Sequence, residues 1–347
     1  MPLQRLWAFG LVLSCFSASF AQADNVKYLP NAEGALAQYL SDIRSARSSI
    51  DITFYIWDPC SVVARVLVRE LEKKKKENPS LPVRLLLDAS LHSDKGRSEI
   101  TATLAKRGID VRFYNFTSDF RKNVRTHIKF INVDNDRVIS GGRNIADDYF
   151  SLSPIMNWID REARVEGASA RKAGAAFQQL WNDRLTKREL RKASPAEIKA
   201  SEETCLKADS KVLEVERHLN ENMESILARS PTFRCPTVRV AVDNPDFMEA
   251  MPGSLDGGTE EFLSGERLAH KVATKEIMSV VSEAKHNLFF ENYTYIPSAA
   301  IFRQLEKFRH KRLPITMITN DASDESQGIM HGPASYYQNR HNVGSQQ

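Results

Sequence analysis

Apolar positions recur along this chain in two alternating periods, one helical and one of strand type. Leu36, Tyr39, Leu40 and Ile43 fall on one face of a predicted helix over Asn31–Ala46. Ile50 to Trp57 is dense in β-branched and aromatic residues and predicts a strand, which Asp58-Pro59 ends. A helix over Val62–Lys76 follows, its lysine run at the terminus where cations are favourable. Val83–Leu87 predicts a short buried strand, Ser98–Lys106 a helix closed by Gly108, and Val111–Tyr114 a further strand. Phe130–Val133 and Arg137–Ile139 are strands joined by the tight-turn sequence Asp134-Asn135-Asp136. Ala163–Val165 adds a strand and Ala168–Trp181 a helix. This alternation is the signature of an α/β layered fold, a mixed sheet flanked by helices.

Leu185 to Arg229 is charged, helical in pattern and broken at Ser194-Pro195, as expected of a surface-packed connection. The opening pattern then returns. Val281–Leu288 parallels Ile43–Ile50, Phe289–Tyr295 follows as Asp51–Trp57 did, Ile301–Lys311 parallels the next helix, and Ile315–Thr319 parallels Val83–Leu87. The order and spacing of elements predict an internal duplication. The expected organisation is a leader over 1–23, a first half over 24–184, a helical connection over 185–236 and a partial second half over 237–347.

The leader reading rests on Arg5, the apolar run Leu6–Phe20 and Ala21-Gln22-Ala23 before Asp24. It predicts export to the periplasm or the medium. Leu13-Ser14-Cys15 loosely resembles a lipoprotein box, which would instead leave a lipid anchor on Cys15. An apolar fraction of 42% and a charged fraction of 27% are ordinary for a soluble globular protein. The net charge of +4 falls by one with Arg5, too little to argue for nucleic acid by itself. Cys60, Cys205 and Cys235 remain behind the leader. In an oxidising compartment Cys205 and Cys235 are the expected pair, with Cys60 free. No C-x-x-C spacing suggests zinc.

The chemistry concentrates in His127-Ile128-Lys129-Phe130-Ile131-Asn132-Val133-Asp134 and Ser140-Gly141-Gly142-Arg143-Asn144. Residues two apart on a strand face the same way, so His127 and Lys129 are expected to project together. Gly141 and Gly142 allow a close backbone approach. Asn144 adds a neutral donor. An imidazole, an ammonium, bare backbone at Gly142 and an amide converging on one point suit a phosphate group.

The spacing H-x-K-x4-D-x6-G-G-x-N, continued as Ile145-Ala146-Asp147-Asp148-Tyr149-Phe150, closely resembles the phospholipase D superfamily. Within it the chain looks most like the bacterial cardiolipin-synthase branch. Tyr55-Ile56-Trp57, Leu85-Leu86-Leu87-Asp88, Asp160-Arg161-Glu162, Val165-Glu166-Gly167, Val242-Asp243-Asn244-Pro245 and Ile318-Thr319-Asn320 extend the likeness across Tyr28–Arg340. The resemblance implies a phosphodiesterase or phosphatidyltransferase with His127 as the nucleophile of a phosphohistidine intermediate. It assigns Lys129 and Asn144 to the phosphate oxygens, Asp134 to the geometry of the turn, and Asp160 to orienting the imidazole, with Glu162 as rival. It calls for no metal and no cofactor.

Members of this family set two such motifs face to face. The offset of 232 residues from Val83 to Ile315 puts the second histidine near position 359, past Gln347. Neither His331 nor His341 is followed two residues later by lysine. Truncation is the leading expectation, ahead of a homodimer that completes the site and a silent phosphate- or lipid-binding remnant. The expected partner is a phospholipid or membrane surface. A secreted nuclease, with Arg121, Lys122 and Arg125 on the nucleic-acid backbone, is the second reading.

Overall fold

The computed structural model describes residues 23–115, 126–235, 238–242, 272–291 and 299–318. The leader up to position 22 with Cys15, the basic residues Arg121, Lys122 and Arg125, the 243–245 and 319–320 marks, and His331 and His341 lie outside them.

Nine strands form one mixed sheet. In chain order they are β1 (Asp24–Leu29), β2 (Ile50–Phe54), β3 (Val83–Asp88), β4 (Asp110–Tyr114), β5 (Phe130–Val133), β6 (Arg137–Gly141), β7 (Glu162–Glu166), β8 (Thr186–Lys187) and β9 (Thr232–Cys235). Their spatial order is β8-β4-β3-β2-β5-β6-β7-β1-β9. The pairs β2·β3 and β3·β4 are parallel, because helical crossovers join them; the remaining pairs are antiparallel. The layered arrangement expected from the sequence, a mixed sheet flanked by helices, is present, with helices on both faces.

One face carries α1 (Ala32–Ser45), α2 (Val62–Glu77) and α3 (Asp94–Ala105). Asn31, Ser61 and Ser93 cap them through their side-chain oxygens. Tyr39, Ile43, Val63 and Leu67 pack there against Ile52, Phe54 and Ile131. The other face carries α4 (Ala168–Asn182), whose Phe177 and Trp181 meet Phe130, Val138 and Val165. Phe130 and Phe177 stand edge to face at 6.1 Å. Alternation along β5 therefore sends Ile131 and Val133 to the first layer and Phe130 to the second.

The charged segment after β8 does more than connect. It forms α5 (Pro195–Leu206), started by a Ser194–Glu197 capping box, and α6 (Asp209–Ala228). Val212, Leu219 and Ile226 of α6 are buried in the same core as α1 and α2. These three, spaced by sevens, with partly buried Val215, Met223 and Leu227 beside them, seat a helix whose other face is polar.

This packing overturns the expected cysteine pairing. Cys60, just before α2, bonds to Cys205 at the end of α5, and Cys235 is free. The reason is topological: α5 packs on α3 and α6 on α1 and α2, which brings Cys205 to the start of α2, whereas Cys235 sits on β9 at the far edge of the sheet. Arg65 reinforces the junction by donating to the Cys205 carbonyl and to Asp209.

Beyond the main sheet, α7 (Val272–Glu283), β10 (Leu288–Glu291), α8 (Ala299–His310) and β11 (Ile315–Ile318) repeat the order α1-β2-α2-β3. The strands are again parallel, with Leu288 opposite Ile315 as Ile50 is opposite Val83. Among the described residues no helix is long and apolar enough to cross a membrane.

Candidate active site

His127 and Lys129 stand at the mouth of the sheet, ahead of β5. The segment 126–129 has no regular secondary structure and lies outside the ladder, which begins at Phe130. This corrects the expectation of a strand through His127. The strand alternation nevertheless carries back: Lys129 shares its parity with Ile131. Asp88, fully buried at the end of β3, holds the lead-in by accepting from the Thr126 N–H at 2.8 Å. Ser140 on β6 donates to the Lys129 carbonyl at 2.9 Å.

The two side chains differ sharply in exposure. His127 is exposed, while Lys129 is 5% exposed and donates its Nζ to the His127 carbonyl at 2.9 Å. Burial lowers the Lys129 ammonium to about 8, against the opposing pull of the Asp160 carboxylate. An anion beside Lys129, as Asp160 is, therefore favours its charged form.

Asn144 is buried, and its Oδ1 accepts from the Ile56 N–H at 3.0 Å. That bond belongs to a short zipper in which Ile145 N–H donates to Ile56 O at 3.1 Å and Asp58 N–H to Ile145 O at 2.8 Å. With its carbonyl committed, Asn144 has its Nδ2 donor left for a ligand. Tyr55 is placed by the same zipper. Its ring lies 4.7 Å from the His127 ring, and the Lys129 Nζ sits 5.5 Å from its centroid. Tyr55 was visible in the sequence only as part of Tyr55-Ile56-Trp57; its proximity to His127 needed the fold.

The glycines serve a different contact from the one expected. A Cβ on Gly142 would stand 1.9 Å from Asp160 Oδ1, and one on Gly141 would stand 2.2 Å from the Arg161 carbonyl. The close approach at Gly142 is thus made by Asp160, beside the site, and brings a carboxylate to Lys129. Glu162 is separated from it. Its carboxyl is buried in the core, accepting from the Tyr39 hydroxyl at 2.5 Å and lying 3.9 Å from Arg143. Burial raises Glu162 to about 7, which Arg143 and the Tyr39 hydrogen bond partly oppose. Arg143 itself donates to the carbonyls of Tyr149 and Asp160, so it braces the Asp160 backbone from below.

Asp134 lies away from His127, at the opposite end of β5. It accepts from the backbone N–H groups of Arg47, Ser48 and Ser49 and from Arg137, clamping the α1–β2 loop onto the β5–β6 turn. Asp147 accepts from the Val63 N–H at the start of α2, and Asp148 from the Trp158 indole at 2.9 Å. Ile155 and Ile159, 93% and 80% exposed, sit on the loop that Asp148 holds and that runs into Asp160. Among the described residues no group of His, Cys, Asp and Glu could hold a metal ion.

The family description "Cardiolipin synthase, PLD-like domain" matches residues 39–181, the stretch that carries every residue of this site. Over residues 39–181 the chain is therefore similar to the cardiolipin-synthase-like branch of the phospholipase D superfamily. It is 30% identical over 167 residues to cardiolipin synthase A of Buchnera aphidicola, covering 46% of this chain and 34% of that one. It is 25% identical over 328 residues to an uncharacterized protein of Helicobacter pylori strain J99, covering 88% of this chain and 61% of that one. Among solved structures, phosphatidylserine synthase of Haemophilus influenzae matches 88% of this chain and 65% of its own with a TM-score of 0.56. At 13% identity that likeness speaks for the fold. The chain spans less than two thirds of these relatives.

Proposed function

We propose that this chain is a phospholipase D-type phosphodiesterase or phosphatidyltransferase that acts on phospholipids outside the cytoplasm. The observation that carries the reading is the convergence of His127, Lys129, Asn144 and Asp160 at one end of the sheet. His127 is the exposed nucleophile. A ring nitrogen attacks phosphorus, the bond to the leaving alcohol oxygen breaks, and that oxygen takes up a proton. A second alcohol or water then attacks the phosphohistidine and gives up its proton. Lys129 and the Asn144 amide neutralise the non-bridging oxygens as charge builds on them. Asp160 holds the imidazole in one tautomer. The leaving oxygen needs an acid, and His127 of a second copy across a two-fold axis would supply it.

A lipid substrate is favoured over a nucleic acid by the exposed Ile155, Met156 and Ile159 on the loop that enters the site at Asp160. Export is supported by the apolar leader and by the Cys60–Cys205 disulfide, a bond that persists in oxidising compartments.

The test is mass spectrometry of the protein after incubation with labelled phosphatidylglycerol. A phosphatidyl adduct on His127, absent from His127→Ala, is expected. If neither adduct nor product forms and the variant matches wild type, the catalytic reading falls. Cleavage of oligonucleotides that fades steeply with salt would replace it with the nuclease reading. A strictly monomeric protein in sedimentation would remove the shared site.

A further inference from the structure

Tyr55 meets both principal groups of the site. Its ring contacts the His127 imidazole edge to face, with centroids 4.7 Å apart and planes at 65°, and its centroid lies 5.5 Å from the Lys129 ammonium. The backbone that carries the ring is held in place by the residues after it. β2 ends at Phe54, and the next three residues leave the ladder to zip against Asn144 and Ile145 through Ile56 and a bridge from Trp57 to Ile145. Trp57 is buried and fixes the far side of the segment. The chain beyond it is tied down by Asp58, which accepts from the Cys60 N–H, and by the Cys60–Cys205 disulfide. The segment that follows this half-buried aromatic is thus anchored while its ring faces a histidine and a lysine.

We infer that Tyr55 is a positioning residue that holds the His127 ring and keeps the Lys129 ammonium charged. The inference rests on the reading of His127 and Lys129 as the reacting and phosphate-binding groups. Two physical effects carry it. Edge-to-face ring contact restricts rotation of an otherwise exposed imidazole, and a near-attack geometry depends on such restriction. The face of a phenol ring also attracts a cation, the more so where water is excluded. Lys129 needs that help, because burial works against its charge and its oxygen partner is the neutral carbonyl of His127. The titratable groups at Lys129 are the Asp160 carboxylate and the Tyr55 phenol, whose ring also meets the His127 imidazole. Of these, Asp160 supplies charge and Tyr55 supplies a polarisable face.

The test compares Tyr55→Phe, which keeps the ring, with Tyr55→Leu, which removes it, in the full chain. The Lys129 amine is titrated by NMR on ¹⁵N-lysine-labelled protein, its resonance identified with Lys129→Arg. Tyr55→Leu is expected to lower the Lys129 pKa by roughly half to one pH unit, and Tyr55→Phe to leave it in place. Inorganic phosphate binding supplies the second readout. The ratio of Tyr55→Leu to wild-type dissociation constants should rise from about one at pH 6 to roughly three- to tenfold at pH 9. A packing role alone would weaken binding equally at both pH values. An unchanged Lys129 titration in Tyr55→Leu, or equal effects of Phe and Leu, overturns the inference. Failure of the wild type to bind phosphate would instead count against the proposed function, and the Lys129 titration would still decide the role of Tyr55.

Discussion

Asp160 occupies the space that a side chain on Gly142 would take: a Cβ there would lie 1.9 Å from the carboxylate oxygen. The second glycine of Gly141-Gly142 is therefore the seat of an acidic group beside Lys129. Gly142→Ala must push Asp160 aside. A loss of phosphodiesterase activity of about a hundredfold is expected, since displacements near 1 Å have effects of that order. The accompanying loss of stability should be about 1–3 kcal/mol, an ordinary overpacking cost. Activity assays beside thermal melts separate the two; a variant with wild-type activity would show that Asp160 does not need its place.

Asp134 has a structural task that pH can reveal. Burial by itself would raise its carboxyl, but the N–H groups of Ser48, Arg47 and Ser49 outweigh burial and hold it below the ordinary 3.8. With a depressed folded value, its contribution is present above 3.8 and is lost as pH falls through the folded value. Asp134→Asn should flatten the stability profile below about pH 4. Asp134→Ala should destabilise by about 2–4 kcal/mol at pH 7, measured by urea unfolding, because three backbone N–H groups, the Ser48 hydroxyl and Arg137 lose their acceptor.

Lys129 is expected to show the opposite linkage. Its folded value is about 8 against 10.5 unfolded, so burying the charged form opposes folding below pH 8. That penalty fades as pH rises from about 8 to 10.5. Lys129→Met should be more stable than wild type at pH 7, by roughly 1–3 kcal/mol, while losing phosphate binding. The stability difference should shrink towards pH 10. A less stable methionine variant at pH 7 would mean that Asp160 and Tyr55 more than offset the desolvation.

The cysteines give a simple chemical test. In protein beginning at Asp24, one thiol, Cys235, is expected to react before reduction and three after it. Cys205→Ser opens a loop of 145 residues and should lower stability by up to about 5 kcal/mol on chain-entropy grounds. Peptide mapping that joined Cys205 to Cys235 would contradict the return of α5 and α6 over α3 and α2.

The loop before Asp160 tests the lipid substrate. Changing Ile155 and Ile159 together to Asp should reduce binding to phosphatidylglycerol vesicles at least tenfold and leave inorganic phosphate binding unchanged. Both side chains are exposed, so the folded state loses little packing. Vesicle binding that survives the double change would assign the loop another role.

Much of this molecule was legible in its sequence because the signals are local. Hydrophobic period identified α1, α2, α4 and strands β2 to β7 within a few residues, and the spacing of His127, Lys129 and Asn144 picked out the residues of the candidate site. Strands β1, β8 and β9 escaped notice. β8 has two residues, β9 is largely exposed, and β1 carries little apolar alternation, so edge pairing rather than pattern makes them strands. The polar surface of α6 concealed three core residues spaced by sevens.

The residue types of the site and the family they belong to were thus written in the sequence, since backbone periodicity and motif spacing act over a few residues. Which groups touch was decided by the tertiary structure. Asp160 reaches Gly142, Glu162 turns to Tyr39, Tyr55 meets His127, and Cys60 finds Cys205, each across a separation that only the crossing of strands and the return of α5 and α6 could close. Contacts between distant segments depend on sheet order and helix packing, and no local pattern encodes either.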